Sequence, residues 1–133
     1  MDEINKFILK KLEENARTPY LSIAKELDVS EGTIRKRVSK LKIEGTIKKF
    51  TIETKTQTTA VVGIEINPHM PTADIVNQLK ELSIAKIYEV AGRFDLLCFL
   101  KEKNMENLNE TLERIRITKG IEHTETFTIL KEN

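Results

Sequence analysis

The chain has 133 residues, 32% of them charged, and a formal net charge of only +1. That length allows one ordinary domain or two small ones with limited cores. No apolar run approaches the roughly 20 residues of a membrane-spanning helix, and the acids of MDEINKF precede any apolar stretch, which argues against a signal peptide. One cysteine, Cys98 inside LLCFL, cannot form an internal disulfide, so a reducing cytoplasm is the expected location. Charge is unevenly placed: residues 1 to 52 hold 12 Lys or Arg and 8 acids, net +4, whereas residues 53 to 133 hold 10 and 13, net −3. The basic half points to a nucleic-acid partner, the acidic half to another task.

In chain order, residues 2 to 14 read as a first helix, with Ile4, Phe7, Ile8 and Leu12 close to one face. Thr18 followed by Pro19 reads as an N-cap and a first helical position. Tyr20, Ile23, Ala24 and Leu27 then continue a second helix, and Asp28 suits the turn that ends it. Ser30 is the expected N-cap of a third helix, whose Ile34, Val38 and Leu41 form a single apolar stripe, and Gly45 is its expected left-handed C-cap. Two helices so closely joined make a helix-turn-helix candidate.

From Thr33 to Lys49 there are seven Lys or Arg against one acid, Glu44, a local charge of +6. Solvation of an exposed helix face is the commonest fate of such charges. Here acids are almost missing from the counted window, so ion pairing one turn apart does not explain the cluster. The candidate DNA-binding residues are Ser30, Gly32, Thr33, Arg35, Lys36, Arg37, Lys40, Lys48 and Lys49. Short polar groups and glycine allow close approach to base edges, and cations meet phosphates. After Gly45, TIKKFTIET has strand composition without clean alternation, and a β-hairpin wing or an arm suits it.

The expected boundaries are 1–52 for the DNA-binding part, 53–59 for a polar, Thr-rich linker and 60–133 for a second domain. In that second part, Ala60 to Ile66 reads as a strand ended by NPHMP. A helix follows from Pro71 or Thr72 through Leu82, then strands at Ile84–Val90 and Leu96–Leu100. A helix starting at Asn104 carries Leu108, Leu112 and Ile115 on one face, and the alternating run IEHTETFTIL closes the chain as a strand. The order β-α-β-β-α-β is the ferredoxin-like arrangement, so the fold class expected is α+β, a winged helix-turn-helix followed by a ferredoxin-like domain. One sheet face stays open in such a domain, which predicts dimerisation.

ILKKLEENAR at 8–17, IAKELDVSEGTIRKRVSKLKIEGTIKKF at 23–50, EVAGRFDLL at 89–97 and GIEHTETFTIL at 120–130 together resemble the Lrp/AsnC family of feast/famine regulators in its small archaeal form. The family's Gly-x-(Tyr or Phe)-Asp is met by Gly92, Arg93, Phe94 and Asp95, and its Thr-x-Thr by Thr124 and Thr126. Asn5 stands where the family usually has a second acid, and Asp28 where a glycine is common. The resemblance implies a DNA-binding transcriptional regulator acting on double-stranded DNA, a homodimer assembling to tetramers or octamers, and an amino-acid effector. It implies an effector site at Gly92, Arg93, Phe94, Asp95, Thr124 and Thr126, with His69 and Met70 as a wall. No other cofactor is expected, and His69 and His123 lack the clustered partners of a metal site. Two other classes remain open: an Lrp-like enzyme of tetrapyrrole metabolism and a plain assembly module. Neither needs the basic third helix.

Overall fold

The computed structural model describes residues 1–54 and 58–133, and the chain divides into two compact units, Met1–Glu53 and Thr54–Asn133. Part of the 53–59 linker, residues 55–57, lies outside the described residues. The first unit holds α1 (Glu3–Glu14), α2 (Tyr20–Leu27) and α3 (Glu31–Ile43). Ile8, Leu12, Ile23, Ala24, Ile34, Val38 and Leu41 form its core. The periodic positions read from the sequence thus supply that core, because only residues one face apart on each helix can leave water together.

Caps set the helix boundaries. Asp2 caps α1 by accepting from the Asn5 N–H at 2.8 Å, and Ser30 caps α3 by accepting from the Thr33 N–H at 3.1 Å. Asp28 ends α2 in the left-handed region at φ 54°, and Gly45 follows α3 at φ 80°, its N–H donating to the Lys42 carbonyl at 3.1 Å. Thr18 does not cap α2 as expected. Pro19 occupies the cap position without a side-chain bond, and the Thr18 hydroxyl turns back to donate to the Asn15 carbonyl at 2.6 Å. It closes the end of α1 instead, sharing the Asn15 carbonyl with its own backbone N–H, which donates there at 3.0 Å. The expected wing is also not formed as strands: among the described residues no strand occurs between Gly45 and Thr58. Ile47 packs against the helical core and Phe50 lies under the Lys42 ammonium at 5.9 Å, so the segment is fastened to the helices rather than paired with itself.

The second unit runs β1 (Thr58–Ile66), α4 (Thr72–Leu79), β2 (Lys86–Glu89), β3 (Leu96–Glu102), α5 (Met105–Arg116) and β4 (Ile121–Thr128). Its sheet order is β2-β3-β1-β4, antiparallel at every pairing, and this is the ferredoxin-like topology expected. Helix α4 is shorter than expected, with Lys80 as its C-cap, and Leu82 still packs against the core from the turn that follows. β2 is shorter than the expected 84–90, but the Ala85 and Val90 N–H groups still bond to β3 and its approach, at Phe99 and Asp95.

Ala60, Val62 and Ile64 of β1 and Leu96, Cys98 and Leu100 of β3 meet Ile75 and Leu79 of α4 and Leu108 and Ile115 of α5. Burial pushes the Cys98 thiol up to about 11, so at neutral pH it stays a protonated, apolar filler. The alternate residues, Val61, Gly63, Leu97 and Phe99, face the other way, because side chains along a strand alternate sides.

Candidate nucleic-acid interface and effector corner

Helix α3 carries its candidate residues at three different distances from its buried seam. At about 100° per residue, the positions opposite Ile34, Val38 and Leu41 are Gly32, Lys36, Ser39 and Ile43, with Lys40 beside them. Lys36, Lys40 and Ile43 are exposed, and Ile43 is 87% accessible. A Cβ built on Gly32 would meet only the Ser30 hydroxyl, at 3.8 Å, so the first turn of α3 presents open backbone. The Ser30 and Thr33 hydroxyls bond to each other at 2.9 Å beside it.

The two arginines sit on the flanks and are engaged. Arg35 pairs with Glu31 and stands 5.5 Å from the Tyr20 ring centroid. Arg37 is bound to the Asp2 carboxylate at 2.5 Å and donates to Asn5 Oδ1 at 3.2 Å. Lys40 lies 3.8 Å from Glu44. Ion pairing one turn apart therefore does account for part of the cluster, contrary to the sequence argument. Glu31 lies just outside the counted window, and Glu44, though counted, serves Lys40. Lys36, Lys48 and Lys49 have no ion pair among the described residues.

In the second unit the motif residues are divided by the sheet. On its open side the Phe94 ring covers Gly63: a Cβ built there would stand 2.6 Å from the ring. Arg93 lies 5.3 Å from the Phe94 centroid and pairs with Glu125 at 3.1 Å. The two charges are close enough to attract while Glu125 Oε2 has no well-aligned hydrogen bond, so attraction without direction describes the contact best. Asp95 uses its carboxylate to accept from the Ile66 N–H at 2.9 Å, where the β1–β4 register shifts, while its own N–H donates to the Ile64 carbonyl at 2.9 Å. Gly92 has φ 144° and open space around it.

Thr124 and Thr126 pair with Ile64 and Val62, so they lie on the helix-covered side, and Glu125 between them lies on the open side with Gly63. Thr124 lines an open depression of about 290 Å³ with Arg116, Ile121, Glu122 and His123. Met70 packs on the core and lies against Gly120, whereas His69 is exposed, its N–H bonded to Asn67 Oδ1 at 2.9 Å. The sequence singled out neither Gly63 nor Glu125. Their importance comes from strand register, which no local motif displays.

An AsnC-type helix-turn-helix domain model matches residues 1–42, and an Lrp/AsnC ligand binding domain model matches residues 59–133. The chain belongs to the Lrp/AsnC family. It is 38% identical to the HTH-type transcriptional regulator LysM of Sulfurisphaera tokodaii, over 98% of this chain and 96% of that one. Among solved structures, AsnC of E. coli superposes with a TM-score of 0.80 at 26% identity, covering 99% of this chain and 93% of that one. A feast or famine regulatory protein of M. tuberculosis complexed with L-methionine has the same fold, with a TM-score of 0.85 at 22% identity over 98% and 92% of the two chains. Like its relatives, this Lrp/AsnC chain is a DNA-binding transcriptional regulator and not an enzyme. No helix among the described residues is long and apolar enough to cross a membrane, and none of their His, Cys, Asp and Glu side chains form a metal-binding group.

Proposed function

We propose that this regulator binds DNA as a cytoplasmic homodimer, with residues 1–52 as the DNA-binding part, 53–59 as the linker and 60–133 as the part that assembles and senses a small molecule. Two copies of α3 enter successive major grooves, so the site recognised is close to palindromic. Ser30, Gly32, Thr33 and Arg35 approach base edges from the first turn of α3, and Lys36, Lys40, Lys48 and Lys49 neutralise phosphates. The observation that carries this reading is the face of α3 opposite its seam, which holds exposed Lys36 and Lys40 around open backbone at Gly32.

The open sheet side supports self-association. Tyr88, Phe99 and Phe127 are 45%, 36% and 51% accessible there, and Tyr88 and Phe99 are packed edge to face at 5.6 Å. Val61 pairs with both Phe99 and Phe127, so apolar residues run across the sheet; an exposed surface of this kind gains by being covered, and a second copy offers the same surface in a two-fold arrangement. Tetramers or octamers would then form from dimers. An amino acid is the effector class proposed, on the precedent of the L-methionine complex with the same fold. Gly92, Arg93, Phe94 and Asp95, with Thr124, Thr126, His69 and Met70, are the candidate surroundings, and a further chain would have to join the two sides of the sheet around one ligand.

Anisotropy titrations of a labelled duplex, enriched by this protein from a random pool, test the DNA-binding face. The Lys36→Ala, Lys40→Ala double variant is expected to bind about thirtyfold more weakly and to lose about two from the slope of log affinity against log salt, near 0.9 per phosphate contact. Unchanged affinity and slope would remove the proposed face.

A further inference from the structure

We infer that Arg37 is a positioning residue for DNA recognition: it holds α3 at a fixed rotation by tying it to the first turn of α1, and it does not touch DNA. This rests on the reading of α3 as the DNA-facing helix. Arg37 lies beside the buried seam, one residue before Val38 and four before Leu41, and its side chain is 30% accessible against 62% for Arg35 and 75% for Lys40.

Its guanidinium reaches two acceptors on another helix. Asp2 Oδ2 accepts at 2.5 Å and Asn5 Oδ1 at 3.2 Å. The other Asp2 oxygen is already in use, accepting the Asn5 N–H at 2.8 Å as the N-cap of α1. A single carboxylate therefore starts one helix and holds another. The Asn5 N–H and the Arg37 guanidinium keep that carboxyl below its usual range, so it stays ionised at neutral pH.

The remaining contact between α1 and α3 is apolar, through residues such as Ile8, Leu12, Ile34 and Val38. Apolar burial is non-directional and tolerates small rotations of a helix. A single guanidinium nitrogen, Nη1, bonded to acceptors on two residues of α1 does not, because its N–H directions are fixed in the guanidinium plane. Lys36 precedes Arg37 and Lys40 follows one turn later, so a rotation of α3 would swing both away from their phosphates together. An acid this close to a DNA-facing helix would be an electrostatic liability without such a role.

The sign of one substitution separates the possibilities. Asp2→Asn keeps an efficient N-cap but turns an amide NH2 toward Arg37 and removes a negative charge. If Arg37 contacts DNA, freeing it and deleting an acid strengthens binding; if Arg37 positions α3, binding weakens. With the enriched duplex, Asp2→Asn and Arg37→Ala are each expected to weaken binding about threefold, the scale of a half-exposed ion pair, with the salt slope unchanged. Asp2→Asn in the Arg37→Ala background should add no further loss. Arg37→Lys, which keeps charge but not the planar donor group, should resemble Arg37→Ala, and it carries the test with Asp2→Asn if circular dichroism shows Arg37→Ala unfolded.

Tighter binding by Asp2→Asn, or a salt slope lowered by about one in Arg37→Ala, would overturn the inference. So would lower melting temperatures with the affinity of the folded protein unchanged, the result for a pair that only stabilises the fold. Lys36→Ala is run beside them. If it lowers the slope while Arg37→Ala does not, both assignments stand; if it changes neither slope nor affinity, the DNA-facing reading of α3 fails and takes this inference with it.

Discussion

The two regions that the sequence marked for function use their polar residues in opposite ways. On the outer face of α3, Lys36 is exposed and without an ion pair among the described residues, and removing it should cost the fold little. At the Gly92–Asp95 corner, each polar side chain is tied into the sheet: Asp95 to the Ile66 N–H, Arg93 to Glu125 and Phe94. A residue held by its own fold cannot be assigned to a ligand from its type and spacing alone. The outer face of α3 leaves Lys36 free of ion pairs among the described residues, whereas the corner is also masonry of the domain.

The largest effect that would sharpen this contrast is expected at Gly63. A Cβ there would lie 2.6 Å from Phe94 ring atoms, so Gly63→Ala must expel the ring or shift β1. Overpacking of this kind costs about 2 kcal/mol, read as a lower urea midpoint with an unchanged denaturant slope. Stability equal to wild type would mean that the ring leaves freely, and the corner would then be looser than its contacts imply.

Next in size is Asp95→Ala. It strands the Ile66 N–H at the register shift, and a lost charge-assisted bond at this exposed position should cost about 1 kcal/mol. If Asp95 also meets an effector, calorimetry with L-methionine and the other standard amino acids should show heat with wild type and less with this variant. Loss of stability without any ligand heat in wild type would leave the corner a purely structural device.

How much of this was legible in the chain depends on the range over which each signal acts. Caps at Ser30 and Asn104 accept from N–H groups three residues on, so their signatures are local and readable. The buried alternation of β3, with Leu96, Cys98 and Leu100 inward, is local as well. The Arg37–Asp2 contact joins residues 35 apart in sequence, and nothing in either neighbourhood announces it. The same holds for Gly63 under Phe94, which the turn leading into β3 lays over β1. Thr18 misled for a different reason: its hydroxyl could serve the start of α2 or the end of α1, and the two choices look alike until both helices are in place. The wing failed to form strands because Ile47 finds burial against the helices and Phe50 finds the Lys42 ammonium, so the segment has uses for its side chains other than pairing.

The smallest expected effect probes the boundary between the two behaviours, at Arg35. This residue is exposed like the lysines yet held like Arg93, by Glu31 one turn before it and by the Tyr20 ring. The Glu31–Arg35 pair is solvent-exposed on both sides, where such pairs contribute at most about 0.5 kcal/mol. Glu31→Gln should therefore leave the melting temperature almost unchanged while it releases the guanidinium and removes an acid from the first turn of α3. If Arg35 reaches DNA, affinity should rise about twofold, with the gain largest at low salt, where screening is weakest. Weaker binding would mean instead that Glu31 holds Arg35 in the orientation DNA requires, and Arg35 would then join Arg37 among the side chains that act by fixing the helix.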